Sequence, residues 1–154
     1  MRRKEKEITN RAEIESILHK ARVCRLGMAE GRRPYIIPLC FGYRDNTLYF
    51  HTARKGKKLE ILKKNDDVCF ECDIDHQLTR SEKPCDWGME FRSVIGFGKA
   101  SLIEDRSSRQ SALDVIMEHY SGVSTFEYPD KILGKTVMIK VDIESMTGKK
   151  SDSL

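Results

Sequence analysis

The sequence predicts an α+β protein built on a small antiparallel barrel of about six strands, with two or three helices at its periphery. Several segments carry the β-branched, aromatic and apolar residues that suit strands, and tight turns join the first of them into a meander. Two other segments repeat apolar residues at helical spacing. The 154 residues suffice for a sizeable core, and we expect one domain over residues 1–154.

The first predicted element is a helix over residues 8–21, which Asn10 is placed to cap. Its apolar stripe consists of Ile14, Ile17, Leu18 and Ala21. Strands are predicted over residues 23–29 and 35–43, with a turn around Gly31 between them. Pro38 indicates an edge strand or a bulge, because proline cannot donate to a ladder. A hairpin turn at Asp45-Asn46 leads into a strand over residues 47–52.

The second half of the chain begins with a strand over residues 68–74 and a polar loop over residues 75–84. A long strand over residues 90–103 follows. Gly96 and Gly98 lie on one side of it, as expected where a barrel strand bends or another backbone approaches. Asp105 begins a second amphipathic helix, and a loop over residues 121–134 leads to a last strand over residues 136–143.

Composition excludes several classes of protein. The net charge of +4 is mild and acids are interspersed with bases, so dedicated nucleic-acid binding is not indicated, although anionic ligands are favoured. No apolar run approaches the roughly 20 residues that span a bilayer, and no apolar signal core follows the basic N-terminus. Five cysteines with irregular spacing fit reduced thiols, so we expect a cytoplasmic protein.

Cys69 and Cys72 match a C-x-x-C motif, but we expect them to be structural. They lie in a predicted strand, where residues three apart point to opposite faces. A redox pair would need a helix N-terminus, and a zinc site would need a second pair of ligands. The other histidines (His19, His76 and His119) lack ligand spacing, so no metal site is predicted.

The junction between the strand of residues 47–52 and a short basic helix collects six polar or basic side chains: His51, Thr52, Arg54, Lys55, Lys57 and Lys58. Cations are disfavoured in the first turn of a helix, whereas anions are favoured there. A phosphate neutralised by these cations would explain the cluster, and a solvated basic turn is the alternative. No G-x-G-x-x-G opens a helix, and Ser93 has no nucleophile elbow, so neither a Rossmann site nor a hydrolase is supported.

The order of these elements resembles the flavin-binding split β-barrel of the pyridoxamine 5′-phosphate oxidase-like superfamily, and within it the 5-nitroimidazole-resistance (Nim-type) branch. The matching segments, in order, are Met1-Arg2-Arg3-Lys4, Cys24-Arg25-Leu26, Pro34-Tyr35-Ile36-Ile37-Pro38-Leu39, Leu48-Tyr49-Phe50-His51-Thr52-Ala53, Gly56-Lys57-Lys58, Arg92-Ser93-Val94-Ile95-Gly96-Phe97-Gly98-Lys99-Ala100 and Met146-Thr147-Gly148-Lys149.

The resemblance implies a homodimer with FMN at the subunit interface; FAD and haem are the alternative cofactors. Thr52, Lys57 and Lys58 would bind the phosphate, and Ala53 belongs to the same motif. The backbone of Ile36, Ile37 and Pro38 would run along the flavin ring. The resemblance makes His51 the candidate catalytic residue, and it implies that Trp87, Arg92 and Lys149 reach the cofactor from the partner chain.

Three functions follow from these observations. The first is an FMN-dependent oxidoreductase that reduces nitroaromatic or other small, flat, electron-poor substrates. The second is a flavin- or haem-binding protein that stores or senses the cofactor without turnover. The third is an oligonucleotide-binding barrel, which would need aromatic residues interleaved with Lys and Arg on one sheet face, a pattern that the sequence lacks.

Overall fold

A computed structural model describes residues 3–151, so Met1 and Arg2 of the first matching segment lie outside the described residues. The strands are β1 (Glu7–Ile8), β2 (Cys24–Glu30), β3 (Arg33–Leu39), β4 (Gly42–Arg44), β5 (Thr47–Ala53), β6 (Asp67–Thr79), β7 (Gly88–Ile103) and β8 (Thr136–Ser151). The helices are α1 (Arg11–Lys20), α2 (Lys57–Leu62), α3 (Arg106–Ser121) and α4 (Asp130–Leu133).

The described strands form one antiparallel sheet in the order β3-β2-β6-β7-β8-β5-β4, and β1 pairs with β8. The long strands β6, β7 and β8 lie at its centre, and the shorter ones complete a split barrel. The predicted α+β class with an antiparallel split barrel and peripheral helices is therefore confirmed. Pro38 lies in the edge strand β3, as its missing N–H predicts.

The sheet has eight strands instead of the predicted six. The predicted strand over residues 35–43 is two strands, because the chain leaves the ladder at Phe41, whose N–H donates to the Tyr120 hydroxyl at 3.1 Å. The predicted loop after Ile74 is still strand as far as Thr79, past a register shift at Asp75. The strand β8 runs to Ser151, since β7 and β1 pair with it from both sides.

The hydrophobic core lies inside the barrel, and α1 packs its buried residues against it. Asn10 caps α1 as predicted, with its side chain accepting from the N–H groups of Ala12 and Glu13. All four residues of the predicted stripe on α1 are buried. The helix α3 packs on the outside of the sheet, where Ala112 and Ile116 contact the buried Met138 of β8.

Two glycines permit the close approach of β7 to its neighbours. A Cβ atom on Gly96 would lie 2.3 Å from the Phe70 ring, and one on Gly98 would lie 2.3 Å from the carbonyl oxygen of Asp142. The register of β7 against β8 shifts between Phe97 and Gly98. Of the two predicted reasons for these glycines, a bend or the approach of another backbone, the second is therefore confirmed.

Arg109 of α3 is a buried cation that sequence patterns did not reveal. Its Nη1 donates to the carbonyl of Leu133, and also to that of Thr136 at 2.7 Å. These bonds attach α3 to the end of α4 and the start of β8, because they satisfy carbonyls that the two elements leave open.

Candidate functional site

An apolar groove crosses the outer face of β3, β2, β6 and β7. Its volume is about 730 Å³, which is within the range of small-molecule sites. Ile36, 65% exposed, and Phe97, 56% exposed, supply much of its apolar surface. Large apolar side chains this open to solvent mark a surface that binds something.

Small residues at the floor of the groove make its depth possible. Gly27 of β2 lies opposite Ile36 on one side and opposite Cys69 on the other. A Cβ atom at residue 27 would come within 2.6 Å of the Cys69 sulfur, so a larger residue here would force the Cys69 side chain to turn away. The floor is consequently flat backbone, which suits a planar ligand.

A second, basic pocket adjoins the groove. It has a volume of about 220 Å³ and is lined by Glu30, Arg33, Pro34, Tyr35, Lys57 and Ile61. Pro34 and Tyr35 line both cavities, so the groove and the basic pocket meet at these two residues. Together they form one elongated site with a flat apolar part and a charged end.

Glu30 and Lys57 form an ion pair within the basic pocket. Lys64 lies 3.4 Å from the same carboxylate. Hydrogen bonds from Lys57 and then Lys64 hold the pKa of Glu30 below its ordinary value, so the carboxylate is ionised at neutral pH. The turn between β2 and β3 brings Arg33 opposite Glu30, which adds a second cation to the pocket.

Thr52 carries a buried hydroxyl without a hydrogen-bond partner among the described residues. The residue is 5% exposed and lies near the end of β5, on the segment that leads into α2. Buried hydroxyls are nearly always paired, so an orphaned one indicates a site that is completed by something else.

His51 does not share a face with Thr52. Consecutive residues of a strand point to opposite sides, and β5 buries Phe50 and Thr52 while it exposes His51 and Ala53. His51 pairs with Met138 of β8, and the Met138 side chain packs against α3. His51 therefore lies on the outer face of the sheet, the face on which α3 packs. The structure therefore separates two neighbouring residues that the sequence grouped into one site.

Three of the predicted site residues lie away from the groove: Trp87, Arg92 and Lys149. Arg92 pairs with Asp75 at 3.5 Å and lies five positions before Phe97 on β7, which is roughly 17 Å along a strand. Lys149 holds its amino group 5.4 Å from the centroid of the Phe91 ring. Trp87 donates its indole N–H to the carbonyl of Ser81 at 2.6 Å.

The remaining predicted residues divide between surface and core. Pro38 is exposed on the same face of β3 as Ile36, whereas Ile37 points inward and packs against the barrel core. Lys58 is half-buried at the start of α2, and Ala53 is exposed at the end of β5.

The C-x-x-C motif has the structural role that strand geometry predicts. Cys69 is exposed and Cys72 is buried, so their side chains point to opposite faces. A hydrogen bond with the buried Cys24 and burial itself both raise the pKa of the Cys72 thiol, which keeps it protonated and unreactive.

Sequence reasoning missed the acidic member of the site. Glu30 and Lys57 are 27 residues apart, and no spacing rule connects the end of one strand with a later helix. Phe97 and Cys69 were also missed as lining residues, although their alternation with buried neighbours on β7 and β6 places them on the outer face.

Fold and site together define a split-barrel protein in which an apolar groove adjoins a basic pocket. The chain belongs to the pyridoxamine 5′-phosphate oxidase family, whose model matches residues 10–150. This confirms the resemblance inferred from the sequence motifs.

Solved structures support the same assignment. The chain is 35% identical to a protein described as a candidate 5-nitroimidazole antibiotic resistance protein from Bacteroides thetaiotaomicron, with a TM-score of 0.82 over 94% of this chain and 86% of that one. It also resembles an FAD- and haem-binding protein from Mycobacterium smegmatis at 16% identity, with a TM-score of 0.84 over 96% and 74% of the two chains. An FAD-binding protein from Mesorhizobium loti is 24% identical, with a TM-score of 0.67 over 93% and 96%. The last two likenesses show the fold.

A comparison with curated protein sequences finds no match to this chain. Within residues 3–151, no helix combines the length and the apolar character that crossing a bilayer requires. In that same range, no three His, Cys, Asp or Glu side chains are grouped to hold a metal ion.

Proposed function

We propose that this chain binds FMN in the groove and the basic pocket, and that it acts as a homodimeric oxidoreductase on small, flat, electron-poor substrates such as nitroaromatics. The observation that carries the proposal is the junction of the apolar groove with the basic pocket at Pro34 and Tyr35. FMN has the matching form, with a planar ring system at one end and a phosphate at the other.

The residues present fit this cofactor in three respects. The flat floor at Gly27 and the apolar walls at Ile36 and Phe97 suit an isoalloxazine ring. Arg33 and Lys57 supply cationic donors for a phosphate. The unpaired Thr52 hydroxyl lies on the segment before α2, outside the lining of both cavities, and would be a further donor for the same group.

A bound flavin supplies hydride and single-electron chemistry. The chain would supply binding and orientation. Lys57 and Lys58 would fix the phosphate, and the backbone of β3 at Ile36, Ile37 and Pro38 would lie along the ring. His51 remains the candidate for a residue that contacts the substrate or the cofactor, from the opposite side of β5.

The homodimer would form on the outer face of the sheet. Ile36, Phe97 and the 48% exposed Ile95 leave an apolar surface there, which a second copy would cover. A second copy would also bring its own Trp87, Arg92 and Lys149 towards the groove, which these residues do not reach within one chain. Sedimentation velocity of the protein and of the variant Phe97→Glu tests this, and a monomeric wild-type protein would refute it.

The relatives support the substrate class. The family match and the 35% identity to a candidate 5-nitroimidazole resistance protein favour a flavoprotein that acts on nitroaromatic compounds. Steady-state oxidation of NADH or NADPH with a nitroimidazole acceptor separates an enzyme from a protein that only stores or senses its cofactor. Tight flavin binding without acceptor-dependent oxidation of NADH or NADPH would identify a protein that stores or senses its cofactor.

The direct experiment is a flavin titration followed by absorption and fluorescence, with chromatographic identification of the released cofactor. The double variant Lys57→Ala/Lys58→Ala should lose about 1.5–3 kcal/mol of binding free energy for each charged hydrogen bond removed. Lys63→Ala is the control for Lys57→Ala alone: it removes one positive charge outside the basic pocket and should bind FMN like the wild type. A wild-type protein with no affinity for flavin refutes the proposal, and a Soret band would identify haem instead.

A further inference from the structure

Glu30 places a negative charge at the position where the proposed phosphate would bind. Among the described residues that line the basic pocket it is the one acid, and the two bases are Arg33 and Lys57. Its carboxylate binds the amino group of Lys57 directly. A phosphate therefore meets a lysine that already has an anionic partner.

Two opposite roles are open to such a carboxylate. It would either hold Lys57 in place for the phosphate, or compete with the phosphate for Lys57. Lys57 is 48% exposed and is the N-terminal residue of α2, which packs through Leu59, Ile61 and Leu62. Packing fixes the backbone of Lys57 without any help from Glu30. Removal of the Glu30 charge would therefore leave the flexible Lys57 side chain within reach of a phosphate, and the competing role is favoured.

The charges in the pocket also favour the role in which Glu30 competes with the phosphate. Glu30 and a phosphate in a pocket of about 220 Å³ are like charges at close range, and like charges repel more strongly in a confined site than in bulk water. Glu30 also removes one of the two positive charges that Arg33 and Lys57 bring to the pocket. The site thus attracts a phosphate less strongly than its cations alone would.

We propose that Glu30 is a specificity-determining residue that competes with the cofactor phosphate for Lys57 and thereby limits the preference of the site for phosphorylated over unphosphorylated flavin. This inference rests on the proposed function, because it assumes that flavin occupies the groove. Its consequence is a smaller difference between the affinities for FMN and for riboflavin than Arg33 and Lys57 alone would produce.

The test compares FMN with riboflavin, which shares the ring system and lacks the phosphate. Glu30→Gln removes the charge and keeps the shape of the side chain. The affinity for FMN should rise roughly two- to fivefold, the range for an ion pair this exposed, while the affinity for riboflavin stays unchanged. Glu60→Gln removes an exposed acid of α2 outside the pocket, and neither affinity should change.

A double-mutant cycle shows whether Glu30 acts through Lys57. In the Lys57→Ala background the gain from Glu30→Gln should shrink, because the competition has been removed. Weaker FMN binding by Glu30→Gln would identify Glu30 as a positioning residue and overturn the inference, as would an equal change for riboflavin. These results leave the proposed function intact, whereas a wild-type protein that binds neither flavin refutes both proposals.

Discussion

Replacing Thr52 with valine should stabilise the flavin-free protein. The Thr52 hydroxyl is buried and has no partner among the described residues, and burying an unpaired hydroxyl costs roughly 1–3 kcal/mol. Valine has the same shape without the polar atom. We expect the free energy of unfolding to rise by about 1 kcal/mol and the melting temperature to rise by roughly 2–4 °C in a chain of this length.

Urea denaturation of the flavin-free protein, followed by circular dichroism, measures the change. Thr47 provides the matched control, because this buried threonine donates its hydroxyl to the carbonyl of Asp45 at 3.3 Å. Thr47→Val should therefore destabilise the protein by about 1 kcal/mol. A destabilised Thr52→Val would show that the Thr52 hydroxyl has a partner and would refute the reasoning.

The same variant, Thr52→Val, should have a lower affinity for FMN, although it stabilises the flavin-free protein. If Thr52 donates to the phosphate, valine loses a hydrogen bond to a charged group, which weakens FMN binding by about tenfold or more. Thermal shift assays with and without FMN compare the two effects on one sample. An unchanged FMN affinity would place the phosphate away from Thr52.

Three further predictions concern stability. Gly98→Ala should lower the free energy of unfolding, measured by urea denaturation, by about 1–3 kcal/mol, because the new Cβ would lie 2.3 Å from a backbone oxygen. Gly88→Ala is the control and should be neutral, because the space around Gly88 is open. Equal losses of stability for the two variants would contradict this reasoning. Burial lowers the pKa of His119 below its ordinary 6.5, so the unfolded chain binds more protons and the free energy of unfolding should fall as the pH drops through about 6.5. His119→Gln should flatten that dependence, and an unchanged slope would assign it to other groups. Arg109→Met should cost about 1–3 kcal/mol, because two carbonyls lose their donor; a neutral result would show that water replaces it.

The elements that the sequence predicted well are those with a strong local pattern. The stripe on α1, the cap at Asn10 and the turn at Asp45-Asn46 depend on neighbours in the chain, and each is present. The C-terminal part of β8 was missed because its residues after Ile143 lack clean apolar alternation. Pairing with β7 and β1, distant in sequence, holds that part of the chain as a strand.

Local sequence patterns identified some residues that line the two cavities, but not how the cavities are assembled. The basic junction before α2 indicated a phosphate, and the segment Pro34-Tyr35-Ile36 marked the strand beside the groove. Strand alternation separates His51 from Thr52, which a list of neighbouring residues does not reveal. The contact between Glu30 and Lys57 arises only when α2 packs against the end of β2, so it depends on tertiary structure.

The two prolines of the edge strand β3 also bear on the solubility of the protein. An unpaired sheet edge offers a row of N–H and C=O groups on which a strand of another molecule can assemble into aggregates. Pro34 and Pro38 lie opposite Ala29 and Arg25, at alternate positions with Ile36 between them. Since proline has no N–H, Ile36 is the one residue of these three that can donate to an incoming strand. The chain can therefore expose the apolar side chain of Ile36 on this strand while its edge resists fibril-like growth.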